Sequence, residues 1–193
     1  MAEEFLDEMI LKAKRKKKRE ELKQYVLKED KVPDELFQTI CIGQGLAEIK
    51  LPIGLKPMAK DLIDTKFQFD PQPQIVLTNL SGNVNFTISI LDISISGEEL
   101  LTCVEKSMEG LRRYLISIAF YEKGEEKIQG IDVCWFSYIS NSQDGYKLYN
   151  VVFYAATEKT LVITMNCRCE QMEKWDVIAK VCLKTLVGKE YNG

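Results

Sequence analysis

The chain contains no histidine among its 193 residues. That absence removes the side chain best suited to acid–base work near neutral pH, and it excludes Ser-His-Asp and Cys-His catalysis outright. It also leaves zinc only thiolates and carboxylates as ligands. The six cysteines, Cys41, Cys103, Cys134, Cys167, Cys169 and Cys182, include no C-x-x-C pair, so the spacing of a thiolate cage is missing too. They read instead as small buried hydrophobes. Cys167 and Cys169, two apart, would share one face of a strand. Gly43-Gln44-Gly45-Leu46 is a G-x-G without a third glycine or a following helix, which is no phosphate loop. Asp61, Asp64 and Asp70 lack calcium-loop spacing and fall in a turn-rich segment, where aspartate makes local hydrogen bonds. The expectation is a protein without a cofactor, a metal or enzymatic activity. A carboxylate, lysine or tyrosine mechanism would need geometry that the sequence does not give.

Long apolar runs are also missing: none approaches the ~20 residues of a membrane-spanning helix. The N-terminus is acidic first, with its basic residues after the apolar ones, the reverse of a secretory signal. The expected location is the cytoplasm. Apolar residues at 46% and charged residues at 28% are the balance of a globular protein that can build a core without disulfides.

The first thirty-odd residues form a segment of their own. From Glu3 to Lys28 there is neither Gly nor Pro, and Glu, Lys, Leu and Arg favour a helix. Phe5, Leu6, Met9 and Ile10 make one short apolar stripe; Leu22, Tyr25 and Val26 make a second. Between them stand Lys12, Lys14, Arg15, Lys16, Lys17, Lys18 and Arg19, seven cations in eight residues. The chain's net charge is −3, so with this +7 run set aside the remainder carries −10. On a helix such a run forms a collar, which attracts phosphates or acidic proteins but reads no base sequence. Like charges at i,i+4 and a stripe this short leave the isolated helix marginal. Phe5, Met9 and Ile10 are therefore expected to pack on a neighbouring surface while Lys12 to Arg19 face solvent. Residues 1–31 read as a basic helical extension and residues 32–193 as a single α+β domain.

Val32-Pro33 ends that extension. Phe37 to Ile42 and Leu46 to Leu51 have the spacing of a hairpin around Gly43-Gln44-Gly45. Met58 to Ile63 reads as a turn or two of helix, Lys66 to Phe69 as a strand, and Gln74 to Asn79 as another. Asn85 to Ile93 alternates apolar and polar residues, which predicts one buried and one wet face. Ser96 is placed to cap a helix with Glu99 as its capping-box partner. Leu100, Leu101, Val104, Met108, Leu111 and Leu115 give that helix its inner stripe, and Arg112-Arg113 suit its negative end.

Three or four strands are expected next, over Ile116 to Glu122, Lys127 to Ile139 with Gly130 as a candidate break, Lys147 to Ala156, and Thr160 to Arg168. Turns fall at Lys123-Gly124, Asp144-Gly145 and Glu158-Lys159. Trp135-Phe136 and Phe153-Tyr154 place aromatic neighbours on opposite faces, so both faces of the sheet need cover. A terminal helix from about Glu170 to Leu186 has the stripe Met172, Trp175, Ile178, Ala179, Cys182 and Leu186. The fold class is α+β, an antiparallel sheet of about six to eight strands flanked by two amphipathic helices.

The order of these elements resembles the PsbP-like superfamily. It shows in Leu51-Pro52 after a lead strand, a central amphipathic helix, Gly130 and Tyr149-Asn150 in the antiparallel run, and Trp175 four residues before Ala179 in the closing helix. That superfamily includes a photosystem II subunit, a nuclear-import cofactor that binds the Ran GTPase, and chaperones of bacterial secretion effectors. The resemblance implies a non-catalytic fold that holds other proteins, an adaptor or chaperone, with a tie to a bacterial secretion system. It assigns no binding residue. The partner expected is another protein, and homo-oligomerisation stays open. Nucleic acid or anionic membrane is the alternative partner, reached through Lys12 to Arg19 alone.

Overall fold

Alternating apolar residues and short polar turns give ten strands among the described residues, and two 3.6-periodic stripes give the longer helices. The computed structural model describes residues 36–68, 71–115, 117–142 and 145–188. Strands β1 (Phe37–Ile42) and β2 (Ala47–Pro52) lead into β3 (Lys56–Pro57), helix α1 (Lys60–Lys66), β4 (Ile75–Thr78) and β5 (Val84–Leu91). Helix α2 (Gly97–Tyr114) precedes β6 (Ile118–Ile128), β7 (Ile131–Asn141), β8 (Lys147–Ala156) and β9 (Thr160–Arg168). Helix α3 (Met172–Leu183) and β10 (Val187–Gly188) follow. Seven strands form one antiparallel sheet in the order β3-β4-β5-β9-β8-β7-β6, and β1-β2-β10 form a smaller one.

Helix α2 covers one face of the large sheet at its β6–β8 end. Leu100 and Val104 pack there with Phe136, Val152 and Tyr154. Its start is fixed by the capping box expected from Ser96 and Glu99, in which Glu99 accepts from the Ser96 amide and hydroxyl at 3.1 and 2.8 Å. On the same face, α1 sets Ile63 beside Met58, Phe67 and Val76. Helix α3 and the small sheet cover the opposite face. Met172, Ala179, Cys182, Ile49 and Leu51 join Phe86, Phe153 and Met165 in one continuous core. Each aromatic pair thus divides as expected, with Phe153 in this core and Tyr154 under α2.

Several expectations are corrected. Lys66 ends α1, and Phe67 and Gln68 form no strand, because the Phe67 amide closes the helix on the Ile63 carbonyl. Strand β5 has no wet face over its first five residues, Val84 to Ile88, since it lies inside the sheet with both faces covered. Leu101 is exposed, turned away from the buried Leu100 and Val104. Leu186 is buried beyond the end of α3, where the chain turns into β10.

The expected Lys123-Gly124 turn does not exist. Strand β6 runs straight through, and the hairpin closes at Gln129-Gly130, where both residues have positive φ (47° and 87°) as a tight two-residue turn requires. Gly124 serves packing instead: a Cβ there would lie 2.7 Å from the Trp135 ring. The proposed basic helix of residues 1–31 lies outside the described residues, as do the docking expected of Phe5, Met9 and Ile10 and the solvent-facing Lys12 to Arg19.

Candidate interaction surface

Two polar constellations stand out, and both involve β6. A bulge between Phe120 and Glu122 shifts the register against β7, so that the strand's side chains change sides. Before the bulge, Phe120 lies under α2 with its ring near Phe136 and Tyr138, and the Arg112 guanidinium sits 4.8 Å from it. After the bulge, Glu122 turns to the α3 side and Lys123 reaches Glu105 of α2 at 3.4 Å.

On the α3 side four residues join in one network. Tyr149, fully buried, donates its hydroxyl to Asp176 Oδ1 at 2.5 Å. Lys180 Nζ lies 3.2 Å from Asp176 Oδ2, 3.2 Å from Glu122 Oε2 and 4.1 Å from the Trp135 ring centre. A carboxylate this deep needs such partners, because burying an unpaired charge costs several kcal/mol. The ammonium is shared by two carboxylates and held over an aromatic face. The charges face their complements, so the cluster ties α3 to β6, β7 and β8. Sequence reading missed it. Its trace was Asp176 followed by Lys180 at i,i+4, an ion-pair spacing inside an otherwise apolar stripe.

On the α2 side, the start of α2 and the β6–β7 hairpin frame a cleft of about 610 Å³. Three carboxylates face it, from Glu98, Glu125 and Asp132, against Lys127, which pairs with Asp132 at 3.2 Å; Glu126 also borders it, but lies opposite Val133 on the α3 side of the strand. Cys134 forms its floor, where burial, with the nearby Glu125 and Asp132 carboxylates, pushes the thiol up. A thiol held protonated is a poor nucleophile. Burial pushes Tyr138 up to about 12, and Cys167 likewise up to about 12. The same effect raises Cys182 further still.

The other sequence candidates fall apart or stay local. Cys169 begins a 3-10 turn after β9 and does not continue the strand of Cys167. Gly43-Gln44-Gly45 closes the β1–β2 hairpin as a 3-10 turn with positive φ throughout. Asp64 accepts from Gln72, while Asp61 sits in the first turn of α1; Asp70 lies outside the described residues. Among the described residues no group of His, Cys, Asp and Glu is placed to hold a metal ion, and no helix is long and apolar enough to cross a membrane. Phe5, Met9, Ile10, Lys12, Lys14, Arg15, Lys16, Lys17, Lys18 and Arg19 lie outside the described residues.

No family model and no curated protein matches the chain. Solved structures do. The cyanobacterial PsbP (CyanoP) of Synechocystis sp. PCC 6803 aligns with a TM-score of 0.53 at 11% identity, over 79% of this chain and 92% of that one. A Bacteroides thetaiotaomicron protein aligns at 0.54 and 10% identity, over 82% of this chain and 50% of that one. The Ran-binding protein Mog1p of Saccharomyces cerevisiae aligns at 0.49 and 14% identity, over 79% and 95%. At such identities the first of these establishes architecture alone: the chain has the PsbP-like fold that its element order resembles.

Proposed function

We propose that this protein is a cytoplasmic, non-catalytic adaptor or chaperone that holds another protein against its large sheet. The observation that carries this reading is the outer edge. Strand β6 is eleven residues long, and among the described residues its only strand neighbour is β7. Such an edge is a ready template for a strand from another chain, and recognition by strand addition draws its affinity from main-chain hydrogen bonds. The chemistry around it supports binding over catalysis. The sequence has no histidine, and the mutual engagement of Tyr149, Asp176, Lys180 and Glu122 favours a structural role for them. Service to a bacterial secretion system is the narrower form of this reading and rests on the fold resemblance.

Site-specific photo-crosslinking of the full chain in its native cells tests it. A probe at Lys123 is expected to capture a discrete protein, and a probe at Lys56, on the opposite edge, is not. Equal capture at both positions, or at neither, would remove the edge from the reading.

A further inference from the structure

We infer that the distal half of β6, from Lys123 to Ile128, accepts an extended basic segment of the partner as an added strand. This deepens the protein-binding reading and rests on it. The main chain supplies the first argument. Beyond the bulge β6 stays paired with β7 from Glu122 to Ile128, so its regular backbone is set to continue the sheet outward.

Charge supplies the second and selects the occupant. Lys123, Glu125 and Lys127 lie on the α2 side of the strand, opposite Phe136, Cys134 and Asp132 of β7. There the cleft gathers Glu98, Glu125 and Asp132 around Lys127, itself engaged by Asp132, while Lys123 is engaged by Glu105 of α2. The N-terminus of α2 adds only about half a positive charge, which Glu98 and Glu99 in its first turn offset. The balance is negative. An acidic or phosphorylated segment is therefore repelled, and an uncharged apolar strand would strand the edge charges beside its own side chains.

Strand geometry supplies the third. In a strand added to β6 every second side chain points to the α2 side, which is the side of the cleft. Alternate lysines or arginines spaced two apart would enter it together, while the intervening side chains would need to be small or polar to pass the Glu126 side.

The test uses the full chain and two synthetic octapeptides, one alternating lysine with threonine and one alternating glutamate with threonine. Binding is followed by fluorescence anisotropy and by hydrogen exchange. The lysine peptide is expected to bind, with affinity falling as salt rises, and to protect amides between residues 123 and 128. The glutamate peptide is expected not to bind. The triple variant Glu98→Gln, Glu125→Gln, Asp132→Asn should keep its unfolding midpoint and lose about tenfold in affinity, the sum expected of three partly screened charges. Undiminished binding by the triple variant, or binding without added protection on β6, would overturn the inference. So would a dimer of the free chain that the triple variant dissolves, which assigns the edge to a second copy. A protein crosslinked at Lys123 but indifferent to the triple substitution would overturn the basic-strand inference while leaving the protein-binding reading standing.

Discussion

At one edge of the seven-stranded sheet β3 offers two residues, one of them Pro57; at the other, β6 offers eleven. Both solve the same problem, because an exposed edge invites unwanted strands. Proline removes the donor and brevity removes the rest, so the β3 edge is shut to every partner alike. Strand β6 relies on a bulge and on Glu122, Lys123, Glu125, Glu126 and Lys127, which leave its backbone regular beyond the bulge. Protection by charge is selective: it repels most strands and admits a complementary one. The difference between the edges is the reason for proposing β6 as the interaction edge.

The largest effect should come from uncoupling β6 from the layer beneath it. Asp176→Ala leaves Lys180 and the Tyr149 hydroxyl without their buried acceptor, and the fold should lose about 3 kcal/mol, read as the urea midpoint. A loss below ~1 kcal/mol would mean that the network contributes little to holding α3 on the sheet. Next, Gly124→Ala places a methyl group 2.7 Å from the Trp135 ring. Overpacking of this kind should cost about 2 kcal/mol and lower the protection of β6 amides more than those of β4. A neutral result would mean that the ring moves aside freely.

Smaller changes sharpen the contrast. Pro57→Thr restores a donor to the closed edge and should alter stability by less than ~0.5 kcal/mol. Its informative readout is whether a crosslinker at Lys56 now captures what one at Lys123 does; capture there would show that proline was what kept the edge shut. Lys127→Ala removes an exposed ion pair with Asp132 and should cost at most ~0.5 kcal/mol, while making the cleft more negative and tightening the lysine–threonine peptide. Weaker binding would contradict the charge argument.

The smallest effect is one of pH at the capping box. Hydrogen bonds from the Ser96 hydroxyl and amide hold the Glu99 carboxyl below its ordinary value near 4.5. A carboxyl lowered on folding contributes stability that is fully present above the unfolded value and is lost as pH falls through the folded one. Glu99→Gln should therefore lower stability slightly near neutrality and flatten the acid side of the profile, so that the difference from the parent fades below about pH 4.5. A difference confined to acid pH and absent near neutrality would refute the assignment.

Much of the fold was legible in the sequence because it is written in local patterns. The β1–β2 hairpin, the Ser96–Glu99 cap and the two amphipathic helices each follow from period, turn chemistry or capping within a few residues. Where reading failed, a neighbour distant in sequence decided the matter. Lys123-Gly124 carries turn composition, yet Trp135 on the next strand needed a place without a side chain, so the strand continued. Asn85 and Thr87 are polar, yet β5 lies between β4 and β9 and its alternate face is covered as well. Asp176 sat in an apolar stripe with no sign that Tyr149, twenty-seven residues earlier, would meet it.

The sequence by itself determined that no histidine is available, the class of the fold and the charge asymmetry of the chain, since composition and short-range periodicity suffice for these. Only the tertiary structure decided which strand stands at the edge, which carboxylates share one cleft and where Lys180 finds its two acids. Strand order and layer packing join residues far apart along the chain, and no local pattern encodes which distant partner each will meet.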